Sequence, residues 1–277
     1  RNPSFMINIH SASLFLSFDF LSYFASIRTM SWTCSGKTNL DMVEKLKSSS
    51  IIKSEKVYNV MKQVDRGNYI ASSPYMDSPQ SIGYGATISA PHMHAFALEY
   101  LESNLKEGMK VLDVGSGSGY LTSCLALMVG SSGKAIGIDH IDDLVEMGRK
   151  NIQKDQPELL SSERITLVVG DGRKGYAPGG PYNAINVGAA AVELHQELVD
   201  QLAPGGRLVL PIGPDGDDQH MEQIDKKADG SIERQVLMGV RFVSLASKEK
   251  QLGGRRNKIL TNVIRKYLTK VDKNKNG

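Results

Sequence analysis

Hydrophobic positions along this chain follow two periodicities, and the change falls near residue 110. Before it, apolar residues recur at three- and four-residue intervals, the spacing of one face of a helix. Val57, Val60, Met61 and Val64 form such a stripe behind Ser54, a suitable N-cap. Leu40, Val43 and Leu46 form another behind Thr38 or Asn39. Residues 65–88 hold Gly67, Pro74, Pro79, Gly83 and Gly85 and predict a run of turns. A third helix is expected to open at Ser89 and run through Leu101, with Pro91 in its first turn, where an N–H would have no helical partner.

From Lys110 onward short apolar runs alternate with helical stretches. Lys110–Val114, Lys134–Asp139, Ile165–Val169, Tyr182–Val187 and Gly206–Ile212 read as strands. Tyr120–Val129, Ile141–Gln153 and Val192–Leu202 read as helices. Such alternation predicts a doubly wound, mostly parallel α/β sheet of Rossmann-like form, joined by right-handed crossovers. The alternation stops around Asp229-Gly230, where Met221–Lys226 and Ile232–Val243 predict a C-terminal antiparallel hairpin. No internal repeat is present.

Charge and composition change the picture mainly at the ends. Ten Lys/Arg and two Asp/Glu fall between Lys248 and Gly277, a net of +8, which leaves −5 on the rest of a chain whose total is +3. The body is therefore mildly acidic, and a total this small does not argue for nucleic acid. Within the tail, Ile259, Val263, Tyr267 and Val271 make an apolar stripe between basic residues. That stripe is suited to docking on the acidic body or an anionic membrane, but an extension without function is the expectation. At the other end, Phe5 to Ile27 is rich in Phe, Leu, Ile and Ser but is interrupted by Asp19. It is too polar for a spanning helix and poorly formed as a signal peptide. Met30-Ser31-Trp32 looks like a start, so residues 1–30 are expected to be a leader without a folded role rather than a targeting segment. Two cysteines, Cys34 and Cys124, make neither a disulfide framework nor a metal spacing and fit a reducing cytosol.

The strongest local pattern is Leu112-Asp-Val-Gly-Ser-Gly-Ser-Gly119, a strand running into alternating glycines and then a helix. Glycines permit a tight turn and a close approach of ligand to backbone. Twenty residues beyond Gly119, Asp139 ends the second strand, where a carboxylate accepts from a ribose diol. The spacing Gly-x-Gly-x-Gly differs from the pyrophosphate-binding Gly-x-Gly-x-x-Gly. It suits the amino-acid part of S-adenosylmethionine, with Asp171 in Gly170-Asp-Gly172 placed for an adenine amino group. By itself the loop also admits the reading of a flexible turn, the lesser of the two, and Asp113 that of a brace for it.

These segments resemble the protein-L-isoaspartate (D-aspartate) O-methyltransferases, over nearly everything from Ser31 to Leu252. The resemblance is carried by Pro74-Tyr-Met-Asp-Ser-Pro-Gln-Ser-Ile-Gly83, by Ala86-Thr-Ile-Ser-Ala-Pro-His-Met-His-Ala95, and by the glycine loop. Gly137-Ile-Asp-His140, Val169-Gly-Asp-Gly172, Val187-Gly-Ala-Ala190 and Leu202-Ala-Pro-Gly-Gly-Arg-Leu208 add to it. It implies a Rossmann-like class I methyltransferase domain over residues 31–252, with a helical cap over 31–105 and a core over 106–252; residues 253–277 fall outside as a basic tail. Ser89 would be the active-site serine, with Ala86, Thr87, Ile88 and His94 lining the cleft. Val114, Gly115, Gly117 and Gly119 would hold the methionine part, Asp139 and His140 the ribose and adenine, and Asp171 and Gly172 the adenine. Gln251 is retained, whereas Ala246 stands where the family has Thr. The implied cofactor is S-adenosyl-L-methionine, leaving S-adenosyl-L-homocysteine, with no metal. The implied partners are isoaspartyl-containing proteins and peptides, met by a cytosolic monomer without nucleic acid or stable membrane association.

The chemistry of the residues agrees. A carboxylate is ionised at neutral pH, with a reference pKa of about 4, and needs no general base to act as nucleophile. The site must then align and desolvate, and the N-terminal amides of the helix after Ser89, with its hydroxyl, would receive the acceptor carboxylate. As residues alone, Ser89 reads as a plain N-cap. His92 and His94 point to different sides of a helix and make poor joint metal ligands. Tyr75 and Met76 suit either substrate or core. A nucleic-acid methyltransferase would want Asn/Asp-Pro-Pro-aromatic where this chain has Asn186-Val-Gly-Ala-Ala190, or a Pro-Cys pair that is absent. A non-catalytic adaptor of the same fold would lose part of Ala86–Ala95, which is intact.

Overall fold

The computed structural model describes residues 34–253 apart from residue 215. The leader, the start-like Met30, and the basic stripe from Asn257 lie outside the described residues. Helices α1 (Asn39–Ser48) and α2 (Glu55–Gln63) open the chain. Thr38 caps α1 by accepting from the Asp41 amide, and Ser54 caps α2 by accepting from the Lys56 and Val57 amides. Asn39 is instead buried and donates from Nδ2 to the Met61 carbonyl at 2.9 Å, tying α1 to α2. Leu40 is 47% exposed, and Met42, Val43 and Leu46 make the buried face.

The turn-rich stretch holds a hairpin that periodicity did not predict. Strands β1 (Gln80–Gly83) and β2 (Ala86–Ile88) pair antiparallel across a tip in which Gly83, Tyr84 and Gly85 all have positive φ. They are too short to show alternation. Helix α3 (Pro91–Leu101) starts two residues later than expected, behind Ala90, which offers no side-chain cap. Ser89 therefore precedes the helix and is not its N-cap.

Next come β3 (Lys110–Val114), α4 (Tyr120–Met128), β4 (Lys134–Asp139), α5 (Asp142–Asp155), the short α6 (Pro157–Ser161) and β5 (Ile165–Val169). They are followed by β6 (Tyr182–Val187), α7 (Gln196–Asp200), β7 (Leu202–Ile212), β8 (Gln219–Lys226) and β9 (Ile232–Val240). The helix expected over Val192–Leu202 shrinks to α7: Val192 is 75% exposed and Leu202 already belongs to β7. Seven strands run in the order β5-β4-β3-β6-β7-β8-β9, parallel through β7 and antiparallel from β7 to β9. Strand order reverses between β3 and β6, which leaves a crevice at their carboxyl ends.

Alternation along the strands fills both faces. Val111 and Ala184 enter one apolar cluster, which also takes α1, α2 and much of α3 to α5. Leu112, Val114, Ile185 and Val187 enter a second beneath α7. The N-terminal helices thus share a core with the sheet, and this fixes the β1–β2 hairpin beside the crevice. Gly119 packs tightly on α5: a Cβ there would lie 3.0 Å from Ile152 Cδ1 and 3.1 Å from the Gly148 carbonyl oxygen.

Two sets of variants test this packing by urea unfolding. Ser54→Ala should cost about 1 kcal/mol through the lost cap, while Leu40→Ser should stay within about 0.5 kcal/mol despite removing a leucine. Gly119→Ala, at φ +84° and against α5, should cost about 3 kcal/mol from backbone strain and overpacking together.

Candidate active site

The site begins where β3 ends. The chain turns through Gly115, Gly117 and Gly119, all at positive φ, and enters α4. The Gly115 and Ser116 amides donate to the Ile138 carbonyl at 2.8 and 3.1 Å, which pins the turn to β4. Asp139, at the end of β4, accepts from the Gly117 amide at 3.2 Å through Oδ2 and from the Ile141 amide at 3.0 Å through Oδ1. Each carboxylate oxygen keeps a further lone pair for a ligand hydroxyl. Burial pushes the Asp139 carboxyl above its ordinary range, against the pull of these amides.

A cleft of about 600 Å³ opens over this loop. It gathers Ala86, Thr87, Val114, Gly115, Gly117, Asp139, His140, Gly172, Ala246 and Gln251 from segments far apart in the chain. Gln251 closes one side. Its Oε1 meets His140 Nε2 at 2.7 Å and its Nε2 donates to the Tyr84 carbonyl at 2.9 Å, so the C-terminal segment bridges the hairpin tip and β4. A Cβ built on Gly115 meets nothing within 4 Å and would stand in the cleft, so the backbone there is bared to a ligand.

Of the expected residues Ile88, Ser89 and His94 border an adjoining chamber instead, and Gly119 and Asp171 line neither. Gly119 serves the α4–α5 contact. Asp171 is held by Arg173, whose Nε and Nη2 reach its carboxylate at 2.9 and 2.7 Å, and those bonds keep its carboxyl below the usual range. Gly172, expected beside it, lines the cleft.

Beyond Thr87 lies a small chamber of about 40 Å³, bordered by Ile88, Ser89, His94, Asp113, Asn186 and the Gly115–Ser118 backbone. Beyond that again is an open groove of about 810 Å³ that reaches Asp77, His92, Arg241 and Phe242. Gly115 and Gly117 line both cleft and chamber, Ser89 lines both chamber and groove, and Thr87 borders all three.

The amides at the start of α3 are not available to a substrate, contrary to expectation. Pro91 has none, His92 donates to Asp77 Oδ1 at 3.1 Å, and Met93 and His94 donate to the Ala90 carbonyl. The hydroxyl of Ser89 is what this corner offers. The two histidines part as expected: His92 Nδ1 pairs with Asp77 at 2.7 Å, while His94 Nδ1 meets Arg66 at 3.2 Å. Tyr75 donates to Asp65 at 2.9 Å, and Met76 is 41% exposed. Among the described residues no cluster of three or more His, Cys, Asp or Glu is arranged to hold a metal.

Asp113 does more than brace. It sits in register with Asn186 on β6 and accepts from Asn186 Nδ2 at 2.9 Å and from Thr122 Oγ1 at 2.6 Å. Its carboxyl is raised by burial. Asn186 and Thr122 escaped the sequence reading, although an Asn in an otherwise apolar strand beside an Asp at the same level was a usable signal. Arg66 escaped too, and an isolated Arg after a helix carries no local signal.

With the geometry fixed, comparison with known proteins is specific. The profile of the family described as Protein-L-isoaspartate(D-aspartate) O-methyltransferase matches residues 37–250. A Caenorhabditis elegans protein-L-isoaspartate O-methyltransferase is 48% identical over 222 residues, covering 80% of this chain and 98% of that protein. The Arabidopsis thaliana protein-L-isoaspartate O-methyltransferase 1 is 51% identical over 219 residues, covering 78% and 94%. A Plasmodium falciparum chain of the same description, crystallised in complex with S-adenosyl-L-homocysteine, superposes with a TM-score of 0.71 at 41% identity, over 76% of this chain and 99% of that one. The profile spans most of the chain and the relatives align over nearly their full length: this chain belongs to the protein-L-isoaspartate (D-aspartate) O-methyltransferases.

Proposed function

We propose that this chain transfers a methyl group from S-adenosyl-L-methionine to the free carboxylate of L-isoaspartyl and D-aspartyl residues in damaged proteins and peptides. One observation carries the reading beyond the family itself: a ligand-sized cleft and an open groove meet at a much smaller chamber, with Thr87 and Ser89 at the junction. Such a constriction suits the passage of a single carbon between two larger molecules.

The residues fit the donor. Gly115 and Gly117 bare backbone to its amino-acid part, and Asp139 has lone pairs for its ribose. His140, Gly172, Ala246 and Gln251 enclose its base, while Ala86, Thr87 and Ile88 line the path to the chamber. The chemistry the donor supplies when bound is an electrophilic methyl on a sulfonium, with S-adenosyl-L-homocysteine left behind. The chain holds the acceptor and excludes water. Ser89 Oγ makes no hydrogen bond among the described residues and stands at the chamber mouth, where it donates to one oxygen of the acceptor carboxylate and leaves the other to react. No proton is removed from the acceptor, which is already ionised. His94, kept neutral, has no part as a base.

The groove beside Ser89 is open, which suits an extended peptide segment rather than a small molecule. The active unit is residues 31–252, acting as a monomer in the cytosol, and two buried free thiols support a reducing setting. No helix among the described residues is long and apolar enough to cross a membrane.

Tritiated methyl from S-adenosylmethionine should appear as a base-labile ester on an isoaspartyl peptide and not on its aspartyl twin. Equal labelling of the two, or none of either, would overturn the reading. Gly115→Ala fills the cleft wall at a left-handed position and should weaken S-adenosylhomocysteine binding by about tenfold, ~1.4 kcal/mol by calorimetry. Ser89→Ala should leave that affinity unchanged while acceptor kcat/KM falls by about tenfold or more.

A further inference from the structure

Arg66 is fully buried, and no role for it follows from the sequence motifs. Burial draws its guanidinium down to about 10, so it is charged at neutral pH. None of its hydrogen bonds goes to a carboxylate among the described residues. A buried cation without an anion in contact is costly, and an apolar side chain of similar volume would pack more cheaply. What the guanidinium contributes is its fork of donors.

Each branch ends on a different part of the site. Nε donates to the Pro74 carbonyl at 2.8 Å, Nη2 to the Ser89 carbonyl at 2.7 Å, and Nη1 meets His94 Nδ1 at 3.2 Å. A guanidinium has donors only, so His94 Nδ1 is the acceptor. A neutral imidazole that accepts at Nδ1 carries its proton on Nε2. His94 is 7% exposed and borders the chamber beside the glycine loop, and its Nε2 has no hydrogen-bond partner among the described residues. The groups packed around the ring agree with the neutral form: Arg66, His92 on its own helix, and the Tyr120 ring at 4.9 Å, with Asp77 turned to His92. Burial, then the Arg66 charge, then His92, hold its protonation well below the ordinary range.

We propose that Arg66 is a positioning residue for methyl transfer, anchoring the main chain at Ser89 and fixing His94 as an Nε2–H donor presented to the chamber where donor and acceptor meet. The kinetic side of this inference rests on the proposed function; the tautomer is a property of the chain alone.

Nitrogen-15 NMR of the histidine rings tests the tautomer without substrate, with His94→Gln used to assign the signal. Wild-type His94 should show the Nε2–H form throughout pH 5.5–8, with no titration near its reference value of about 6.5. In Arg66→Met the signal should become a tautomer mixture, or titrate. Kinetics on folded protein should show acceptor kcat/KM lower by about 100-fold in Arg66→Met, as for a misplaced reacting group. The loss should be smaller in Arg66→Lys, which keeps the charge without the fork. A wild-type Nδ1–H signal, an unchanged His94 spectrum in Arg66→Met, or kcat/KM within about threefold of wild type would overturn the proposal. If Arg66→Met does not fold, the wild-type spectrum and Arg66→Lys decide. If wild type fails to methylate an isoaspartyl peptide, the proposed function falls while the spectrum still judges Arg66.

Discussion

Two neighbouring parallel strands, β3 and β6, send their chains onward to opposite sides of the sheet, and the functional geometry depends on that divergence. Nothing else in a parallel sheet leaves backbone ends uncovered, because every other strand end is overlaid by the crossover of its neighbour. Here the β3 end becomes the glycine loop and the β6 end becomes Val187-Gly188, which line opposite sides of one chamber. The polar pair Asp113–Asn186 bridges the two strands at the same level. A buried carboxylate is tolerable there because two donors meet it, one from each flanking element.

Around that crevice the chain builds walls from distant segments, using backbone groups as much as side chains. Asp139 ties the glycine loop to the start of α5 by two amides. Gln251 ties the C-terminal segment to both His140 and the hairpin tip. Arg66 ties the turn after α2 to Ser89 and His94. Each tie is a short polar contact between pieces already packed on a common apolar core, so packing brings the pieces together and directional bonds set their orientation at the site. Such a division is economical for alignment chemistry, in which geometry matters more than proton transfer.

The difference between the two sides of the chamber also has a physical origin. The donor side is made by the sheet and its first loop, where glycine dihedrals and strand register leave little freedom. The acceptor side is made by the hairpin and the start of α3, which rest on the sheet through side chains, and by β8 and β9 at the sheet's antiparallel edge. A fixed donor side and a broader acceptor side match a constant cofactor and variable peptide partners.

Residue order alone settled the strands β3 to β6 to the residue, because a buried parallel strand is a short apolar run with sharp turn signals at each end. It marked the cap at Ser54, narrowed that of α1 to Thr38 or Asn39, and singled out the glycine loop with Asp139 as a candidate ligand site, because those depend on neighbours within a few positions. It misjudged what depends on distant partners. Leu40 lost its place in the core because nothing packs over it, and the helix after Val192 was cut short by the demand of β7 for Leu202. Ser89 yielded its capping role because α3 begins at Pro91. The first free amide of α3 was spent on Asp77, fifteen residues back in the chain. Arg66 became legible only once folding brought Pro74, Ser89 and His94 around one guanidinium. Local rules specify dihedrals and periodicity, whereas a hydrogen-bond partner across tens of residues is chosen by packing, and packing is a property of the assembled chain.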